Sequence, residues 1–112
     1  MTKAERGDVV LVGFVFSDES GRKLRPAVVM SGTGYNRSRH EVIVAAITSN
    51  TARRLYGDWP ISQWKSAGLL FPSICTGIVR TIKKVLIERK LGAMAVADVA
   101  TLDREIRRSL EL

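Results

Sequence analysis

The sequence predicts an α+β protein that is mainly β, a small β-barrel followed by one C-terminal helix. Short runs of branched and apolar residues recur along most of the chain, and Gly, Pro and Ser separate them. One amphipathic pattern then follows, in which Val99, Leu102, Ile106 and Leu110 are spaced three and four residues apart. The chain has 112 residues and no internal repeat or linker, so we expect a single domain over residues 1–112.

The composition indicates a globular protein with a basic surface. The formal net charge of +7 favours a polyanionic partner, first RNA or DNA and second an acidic protein segment. No apolar run is long enough to span a bilayer, and residues 1–6 lead into no signal-peptide core. The single Cys75 cannot form an internal disulfide, so we expect a cytoplasmic protein. With one histidine and one cysteine, the sequence predicts neither a metal centre nor another cofactor.

The apolar runs predict strands, with turns or loops between them. Residues 9–16 are typical of a buried strand, and Gly13 within them indicates a bulge. Residues 62–67 predict a single helical turn that Ser62 caps and Gly68 ends. Further strands are expected at residues 23–30, 42–47, 71–79 and 86–91, loops at residues 17–23 and 31–40, and a tight basic connection at residues 81–86.

Arg25 is expected where a loop enters the second strand, because Pro26 follows it. Proline has no N–H group and within a sheet belongs at a strand start or edge. We therefore expect the stem of Arg25 to rest on the core and its guanidinium to face solvent at the rim. The third strand ends in Thr48 and Ser49, which would add two hydroxyl groups. The alternative interpretation is that Arg25 pairs with an acid such as Asp8.

Several short motifs follow one another along nearly the whole chain. They are RGDVVLV at residues 6–12, RPAVV at 25–29, VIVAAITS at 42–49, AGLLFPS at 67–73, RTI at 80–82, LG at 91–92, and the terminal helix through Leu112. In this order and spacing they resemble the MazF/PemK family, the toxins of toxin–antitoxin pairs. The resemblance implies an SH3-like barrel of the CcdB/PemK type that forms a homodimer. It also implies a sequence-selective endoribonuclease that cleaves single-stranded RNA, including mRNA, without a metal, and an acidic antitoxin that covers the RNA groove.

The resemblance implies that Arg25 and Thr48 act in catalysis. RNA supplies its own nucleophile, the 2′-hydroxyl, so the products would be a 2′,3′-cyclic phosphate and a 5′-hydroxyl. The Arg25 guanidinium can bind two oxygens of the phosphorane, while Thr48 and Ser49 can hydrogen-bond a phosphate oxygen or hold Arg25. His40 is a candidate general base, although its arginine-rich surroundings would lower its pKa and an exposed loop position is the commoner role.

A set of basic, aromatic and amide side chains is expected to follow a single RNA strand, with Tyr35 stacking on a base. Trp59 is either a second stacking residue or a residue of the core or of a dimer seam. The arginines late in the C-terminal helix are expected on its solvent face. The RNA-binding candidates are Arg22, Lys23, Tyr35, Asn36, Arg37, Arg39, Arg53 and Arg54.

One departure from the family pattern bears on the chemistry. Many members carry an acidic or amide pair just before the RTI motif, whereas this chain has Thr76, Gly77 and Ile78 there. Gly77 has no side chain, and Ile78 cannot act as an acid or a base. Two alternatives follow: a non-catalytic toxin of the same fold that binds a protein target, as the related CcdB toxins bind gyrase, or an inactive RNA-binding barrel. The presence of Arg25 and Thr48 favours the enzyme.

Overall fold

A computed structural model describes residues 3–15 and 22–112, without the side chains of Val15 and Arg22. The strands are β1 (Asp8–Val15), β2 (Arg22–Val29), β3 (Glu41–Thr48), β4 (Trp59–Pro60), β5 (Ile74–Lys83) and β6 (Ile87–Ala93). They form one antiparallel sheet in the order β4-β5-β3-β2-β1-β6. Two helices, α1 (Thr33–Ser38) and α2 (Val96–Leu110), lie between β2 and β3 and after β6. No pairing joins β4 to β6 in the described residues, so the sheet is not closed.

The predicted mainly-β fold with a C-terminal helix is confirmed, and two local predictions are corrected. Residues 31–40 are not only loop, because Thr33–Ser38 forms α1. This helix carries no apolar stripe, since its buried residue is Asn36, so hydrophobic periodicity could not reveal it. The expected connection at residues 81–86 is shorter: β5 continues to Lys83, and a 3₁₀ turn at Lys84–Leu86 leads into β6. Of the predicted loop at residues 17–23, residues 22–23 belong to β2, and the rest lie outside the described residues.

The central strands are buried on both faces, which explains their continuous apolar sequences. Successive residues such as Val28 and Val29 belong to two different hydrophobic clusters, as strand alternation requires. One cluster includes Leu102 of α2, and the other lies against Ile87 at the start of β6. Trp59 is 5% exposed and belongs to the first cluster, so it is a core residue.

Residues 62–67 form hydrogen-bonded turns, and α2 supplies their cap. Ser62 is not the cap, because its hydroxyl donates a hydrogen bond to Asp98 Oδ1 at 2.8 Å. The Asp98 carboxylate also accepts the backbone N–H groups of Ser62 at 3.0 Å and Gln63 at 2.9 Å. Asp98 is 3% exposed, so this one buried side chain fixes the turns against α2.

Replacing Asp98 with alanine should lower the free energy of unfolding by about 2–4 kcal/mol, because two backbone N–H groups lose their acceptor. Guanidinium chloride unfolding followed by circular dichroism measures the change. Asp103→Ala is the matched control on the same helix. Its carboxylate forms a more exposed ion pair with Arg6, and its loss should cost at most about 1 kcal/mol. Equal losses in the two variants would contradict a capping role for Asp98.

A close backbone contact holds the segment after these turns against β6. Gly68 has φ of +87° and its N–H donates to the Lys65 carbonyl at 3.0 Å, which confirms that it ends the turn. A Cβ atom on Gly68 would stand 2.1 Å from the Leu91 carbonyl oxygen. A Cβ on Gly92 would stand 2.5 Å from the Ala67 carbonyl oxygen. The two backbones can therefore meet only through glycine at both positions.

Candidate active site

Arg25 lies at the point where β2 loses its neighbour β3. The pairing of β2 with β1 extends over residues 22–28, whereas its pairing with β3 covers only residues 27–29. Arg25 is therefore inside β2 and not at its first residue, which corrects the prediction from the sequence. Pro26 is the last residue before the β3 ladder begins, so the strand is locally an edge where proline is tolerated. The Arg25 side chain is exposed at this edge.

The end of β3 brings Thr48 level with Arg25. Ala27 pairs with Ala46, and continuing this antiparallel register by two residues places Thr48 opposite Arg25, just beyond the last paired position. Thr48 Oγ1 accepts the N–H of Asn50 at 3.1 Å, which leaves the hydroxyl hydrogen available to donate. Arg25 and Thr48 together line two cavities, one on each side of them.

The first cavity, which we call the β6 cavity, has a volume of about 420 Å³. Ser49 lines it beside Thr48, which brings the predicted pair of hydroxyl groups to the same place as Arg25. Arg89 and Lys90 of β6 contribute two more cations. The segment that follows Gly68 supplies an apolar side, made of Leu69, Leu70 and Phe71.

The second cavity, which we call the β5 cavity, has a volume of about 390 Å³. Its cations besides Arg25 are Arg53 and Arg80, and the Arg80 guanidinium lies 5.5 Å from the centre of the Phe14 ring. Thr76 also lines it, with its hydroxyl donating to the Ala46 carbonyl at 2.7 Å. A basic and partly aromatic surface of this kind suits a nucleic-acid strand.

Both cavities are lined by cations, and no acidic residue lines either of them within residues 3–15 and 22–112. Lys90 Nζ lies 3.2 Å from Asp8 Oδ1, and Arg53 Nε lies 2.8 Å from Asp58 Oδ2. Asp8 therefore pairs with Lys90, and the alternative that pairs Asp8 with Arg25 is wrong. Among the described residues, nothing forms a hydrogen bond or ion pair with Arg25. Its guanidinium is free to bind an anion.

His40 does not belong to this group. It directly precedes β3, and Thr48 ends β3, so the length of the strand separates them. Eight strand residues span roughly 25 Å at about 3.3 Å per residue. The backbone carbonyl of His40 accepts the N–H of Lys84 at 2.8 Å, at the far end of β5. A general-base role for His40 at Arg25 is thus inconsistent with the fold.

The candidates on and beside α1 lie at this same distant end. Asn36 is 3% exposed, and its amide nitrogen donates to the carbonyls of Ser31 at 2.9 Å and Ala4 at 3.2 Å, so it is a structural residue. Arg39 lies over the Tyr35 ring at 5.1 Å and pairs with Glu41 at 2.9 Å. Arg37 is exposed there as well. None of these four side chains reaches either cavity.

The remaining RNA-binding candidates divide between the site and the surface. Arg53 lines the β5 cavity. Arg54 does not, because its Nη1 atom donates to the carbonyls of Thr51 at 2.9 Å and Arg53 at 3.0 Å. Lys23 is exposed on β2, two residues before Arg25 and on the same face of the strand. The side chain of Arg22 lies outside the described part of the chain.

The backbone of Gly77 is hydrogen-bonded to a buried carboxylate. Its N–H donates to Asp58 Oδ1 at 2.9 Å, and the other carboxylate oxygen accepts the N–H of Leu55 at 3.0 Å besides pairing with Arg53. A Cβ on Gly77 would stand 3.2 Å from the Tyr56 carbonyl oxygen. The Asp58 side chain is almost fully buried, so it shapes the loop that carries Arg53 and does not face the cavity.

Cys75 is a core residue on β5 and not a nucleophile. It is fully buried, and burial raises the pKa of its thiol to about 12, with smaller contributions from Asp58 and Asp98. The thiol therefore stays protonated at neutral pH.

This raised pKa predicts a loss of stability in alkali. Unfolding exposes a thiol with a pKa of about 8.5, so above that pH the unfolded chain binds fewer protons than the folded chain. The Cys75 thiol should therefore lower the free energy of unfolding by up to about 1.4 kcal/mol for each pH unit as the pH rises toward 12. Urea unfolding at several pH values between about 8 and 11 should show a shallower decline in Cys75→Ala. Parallel declines would contradict the prediction.

The comparisons with known proteins identify the family. The family model described as PemK-like, MazF-like toxin of type II toxin-antitoxin system matches residues 5–110. The chain belongs to this family. As a MazF-like toxin it shares its fold with an endoribonuclease in complex with its cognate antitoxin from a mycobacterial species, at 18% identity, a TM-score of 0.78 and coverage of 96% of this chain and 95% of that chain. No curated protein matches the sequence.

Two other solved MazF structures are equally similar to this toxin. The Mycobacterium tuberculosis toxin MazF-mt6 is 22% identical with a TM-score of 0.76, covering 94% of this chain and 97% of that one. MazF from Deinococcus radiodurans is 16% identical with a TM-score of 0.78, and both chains are covered completely. At these identities the likeness establishes the fold.

Among the described residues, no helix is long and apolar enough to cross a membrane, and no group of three metal-binding side chains is present.

Among the described residues, five cationic and aromatic side chains that line the two cavities were missed in the prediction from the sequence. Four of them lie on strands and Phe71 lies just before β5, whereas binding residues were sought in the loops. Phe71 and Arg80 belong to motifs that carry the family resemblance, but no role was inferred for them there. Arg89 and Lys90 reach the site because β6 pairs with β1. The five residues are Phe14, Phe71, Arg80, Arg89 and Lys90.

Proposed function

We propose that this MazF-like toxin is an endoribonuclease that cleaves single-stranded RNA at Arg25 and Thr48. The observation that carries the proposal is the exposed Arg25 guanidinium, which no described residue pairs, opposite a threonine hydroxyl and between two cation-lined cavities. A phosphodiester placed on Arg25 would leave one cavity for each neighbouring nucleotide. The mycobacterial structure that shares this fold is itself described as an endoribonuclease.

The reaction we propose is an attack of the 2′-oxygen of RNA on the adjacent phosphorus. The O2′–P bond forms and the P–O5′ bond breaks, while solvent water takes the proton of the 2′-hydroxyl and supplies one to the leaving 5′-oxygen. Arg25 stays charged at any working pH, so it stabilises the phosphorane and does not transfer protons. Thr48 and Ser49 donate hydrogen bonds to the phosphate oxygens. The products are a 2′,3′-cyclic phosphate and a 5′-hydroxyl, and we propose that no metal takes part.

We also propose that the toxin works as a cytoplasmic homodimer and that an acidic antitoxin silences it. Deinococcus radiodurans MazF, which has the same fold, is described in complex with MazE, and the mycobacterial endoribonuclease with its cognate antitoxin. A disordered acidic segment could cover the exposed cations of both cavities as it folds on binding. Such a partner would compete with RNA for Arg25.

The test is incubation of the purified protein with a long single-stranded RNA in EDTA, followed by sequencing and end-group analysis of the fragments. Discrete cuts with cyclic-phosphate ends, at a shared sequence and absent in Arg25→Ala, are expected. RNA that is bound but stays intact at high protein concentration would indicate an RNA-binding barrel. Neither binding nor cleavage, with toxicity retained in cells, would indicate a protein target instead. Cuts that disappear only in EDTA would refute the metal-independent mechanism.

A further inference from the structure

Two large apolar side chains stand exposed beside the proposed catalytic pair. Leu70 is 83% exposed and Phe71 is 62% exposed, and both line the β6 cavity together with Arg25 and Thr48. Adjacent exposed apolar side chains in a concave surface can mark a ligand-binding groove.

The backbone presents these two side chains from a fixed position. Leu69, directly before them, is buried in the core, and Gly68 touches the backbone of β6. After them, the Ser73 hydroxyl donates to the Phe71 carbonyl at 2.8 Å, and Ser73 itself is buried. Anchors on both sides therefore hold the Phe71 ring at the rim of the cavity, so that little conformational entropy is lost when it binds.

The chemistry opposite Phe71 indicates what binds there. The same cavity is lined by Arg89 and Lys90, and Phe71 also borders a shallow depression with Ser49 and Thr51. An aromatic face, cations and hydroxyl groups within one space of about 420 Å³ match the base, phosphate and ribose of a nucleotide. An apolar protein segment on Phe71 would instead remove the water around Arg89 without pairing it, whereas Lys90 already pairs with Asp8.

We propose that the β6 cavity is a base-binding subsite, in which Phe71 stacks on the base next to the cleaved phosphodiester. Arg89 contacts the phosphate that follows on that side, and Leu70 closes the apolar edge. This inference rests on the proposed ribonuclease function. Stacking tolerates every base, so Phe71 contributes affinity and register, and the choice of sequence depends on other contacts.

The binding experiment uses a short single-stranded RNA that spans a mapped cut, with a 2′-deoxy sugar at the cleaved position so that it cannot react. Phe71→Ala should weaken its Kd roughly 10- to 100-fold, and Phe71→Trp should restore tight binding. The loss should vanish when the RNA lacks the base on one side of the cut. Arg89→Ala should reduce the slope of log K against log salt by about one.

Tyr56→Ala is the matched control, because Tyr56 is 69% exposed and lies under Arg108 at 4.3 Å, away from both cavities. It should bind and cleave RNA as the unmodified toxin does. Cleavage by the toxin together with unchanged Kd and cleavage in Phe71→Ala would overturn the subsite and leave the proposed function standing. If the toxin cleaves no RNA, a mixed-sequence oligonucleotide replaces the mapped one. A weaker Kd in Phe71→Ala would then support the subsite, whereas an unchanged Kd would overturn it.

Discussion

Replacing Arg25 with alanine should reduce the rate of RNA cleavage by about 10³- to 10⁴-fold, because the phosphorane loses its main cationic donor. The fold should be unaffected, since Arg25 is exposed and no described residue pairs with it. Single-turnover cleavage of an RNA oligonucleotide measures the rate, and thermal unfolding confirms that the variant is folded. The Kd for a non-cleavable RNA should change far less than the rate does, because the remaining cations still bind the backbone.

Arg25→Lys separates charge from geometry. Lysine keeps a positive charge but cannot bind two phosphate oxygens with a planar guanidinium, so it should recover only part of the lost rate. Arg104→Ala is the control, since Arg104 is an exposed arginine on α2 and touches neither cavity. A cleavage rate in Arg25→Ala within about tenfold of the unmodified toxin would refute the assignment of Arg25 to catalysis.

Replacing Gly68 with alanine should lower the free energy of unfolding by more than about 3 kcal/mol, which is at the large end for a single substitution. The new Cβ would stand 2.1 Å from the Leu91 carbonyl oxygen, and φ of +87° disfavours any L side chain. The backbone of β6 would have to move away from residues 67–73, which would also disturb the β6 cavity. Denaturant unfolding measures the loss of stability, and cleavage assays at low temperature measure the effect on the site.

Gly34→Ala is the matched glycine control. Gly34 lies in α1, and a Cβ built on it has no neighbouring atom within 4 Å. The higher helix propensity of alanine should make this variant more stable by up to about 1 kcal/mol. The opposite signs of the two changes distinguish a close backbone contact from a general effect of removing glycine. A Gly68→Ala variant as stable as the unmodified chain would contradict the contact.

The sequence was sufficient for the elements whose pattern is local. The branched runs that became β1 and β3 were predicted to within one residue at each end, and the apolar stripe from Val99 to Leu110 was correctly predicted to be helical, because strand and helix periodicity differ. Helix α1 was missed because it buries an asparagine and no apolar face. The strand predicted at residues 71–79 is β5 at Ile74–Lys83, so its start was placed three residues too early and its end four residues too early. The end was missed because Thr81 and Lys83 are polar and were interpreted as part of a connection.

The catalytic candidates of the site were predictable because family motifs mark them. Arg25, Thr48 and Ser49 meet as expected, because two antiparallel strands in a fixed register bring the RPAVV motif and the end of VIVAAITS together. His40 lies far from the pair because it precedes β3 and Thr48 ends it, a separation that the predicted strand at residues 42–47 already implied. Arg89 joined the site because β6 returns beside β1, and this non-local pairing cannot be read from hydrophobic periodicity.

The burial of β2 and β3 on both faces has a consequence for how this toxin can be controlled. Residues 27–29 of β2 and 44–46 of β3 pair in the centre of the sheet and should be among the last to exchange their amide hydrogens. Arg25 and Thr48 each lie two residues from this ladder, so their backbones are anchored to the most stable part of the sheet. The antitoxin that we propose would therefore act on an anchored site by covering it. We expect cleavage to resume as soon as the covering segment departs, with no refolding step to delay it.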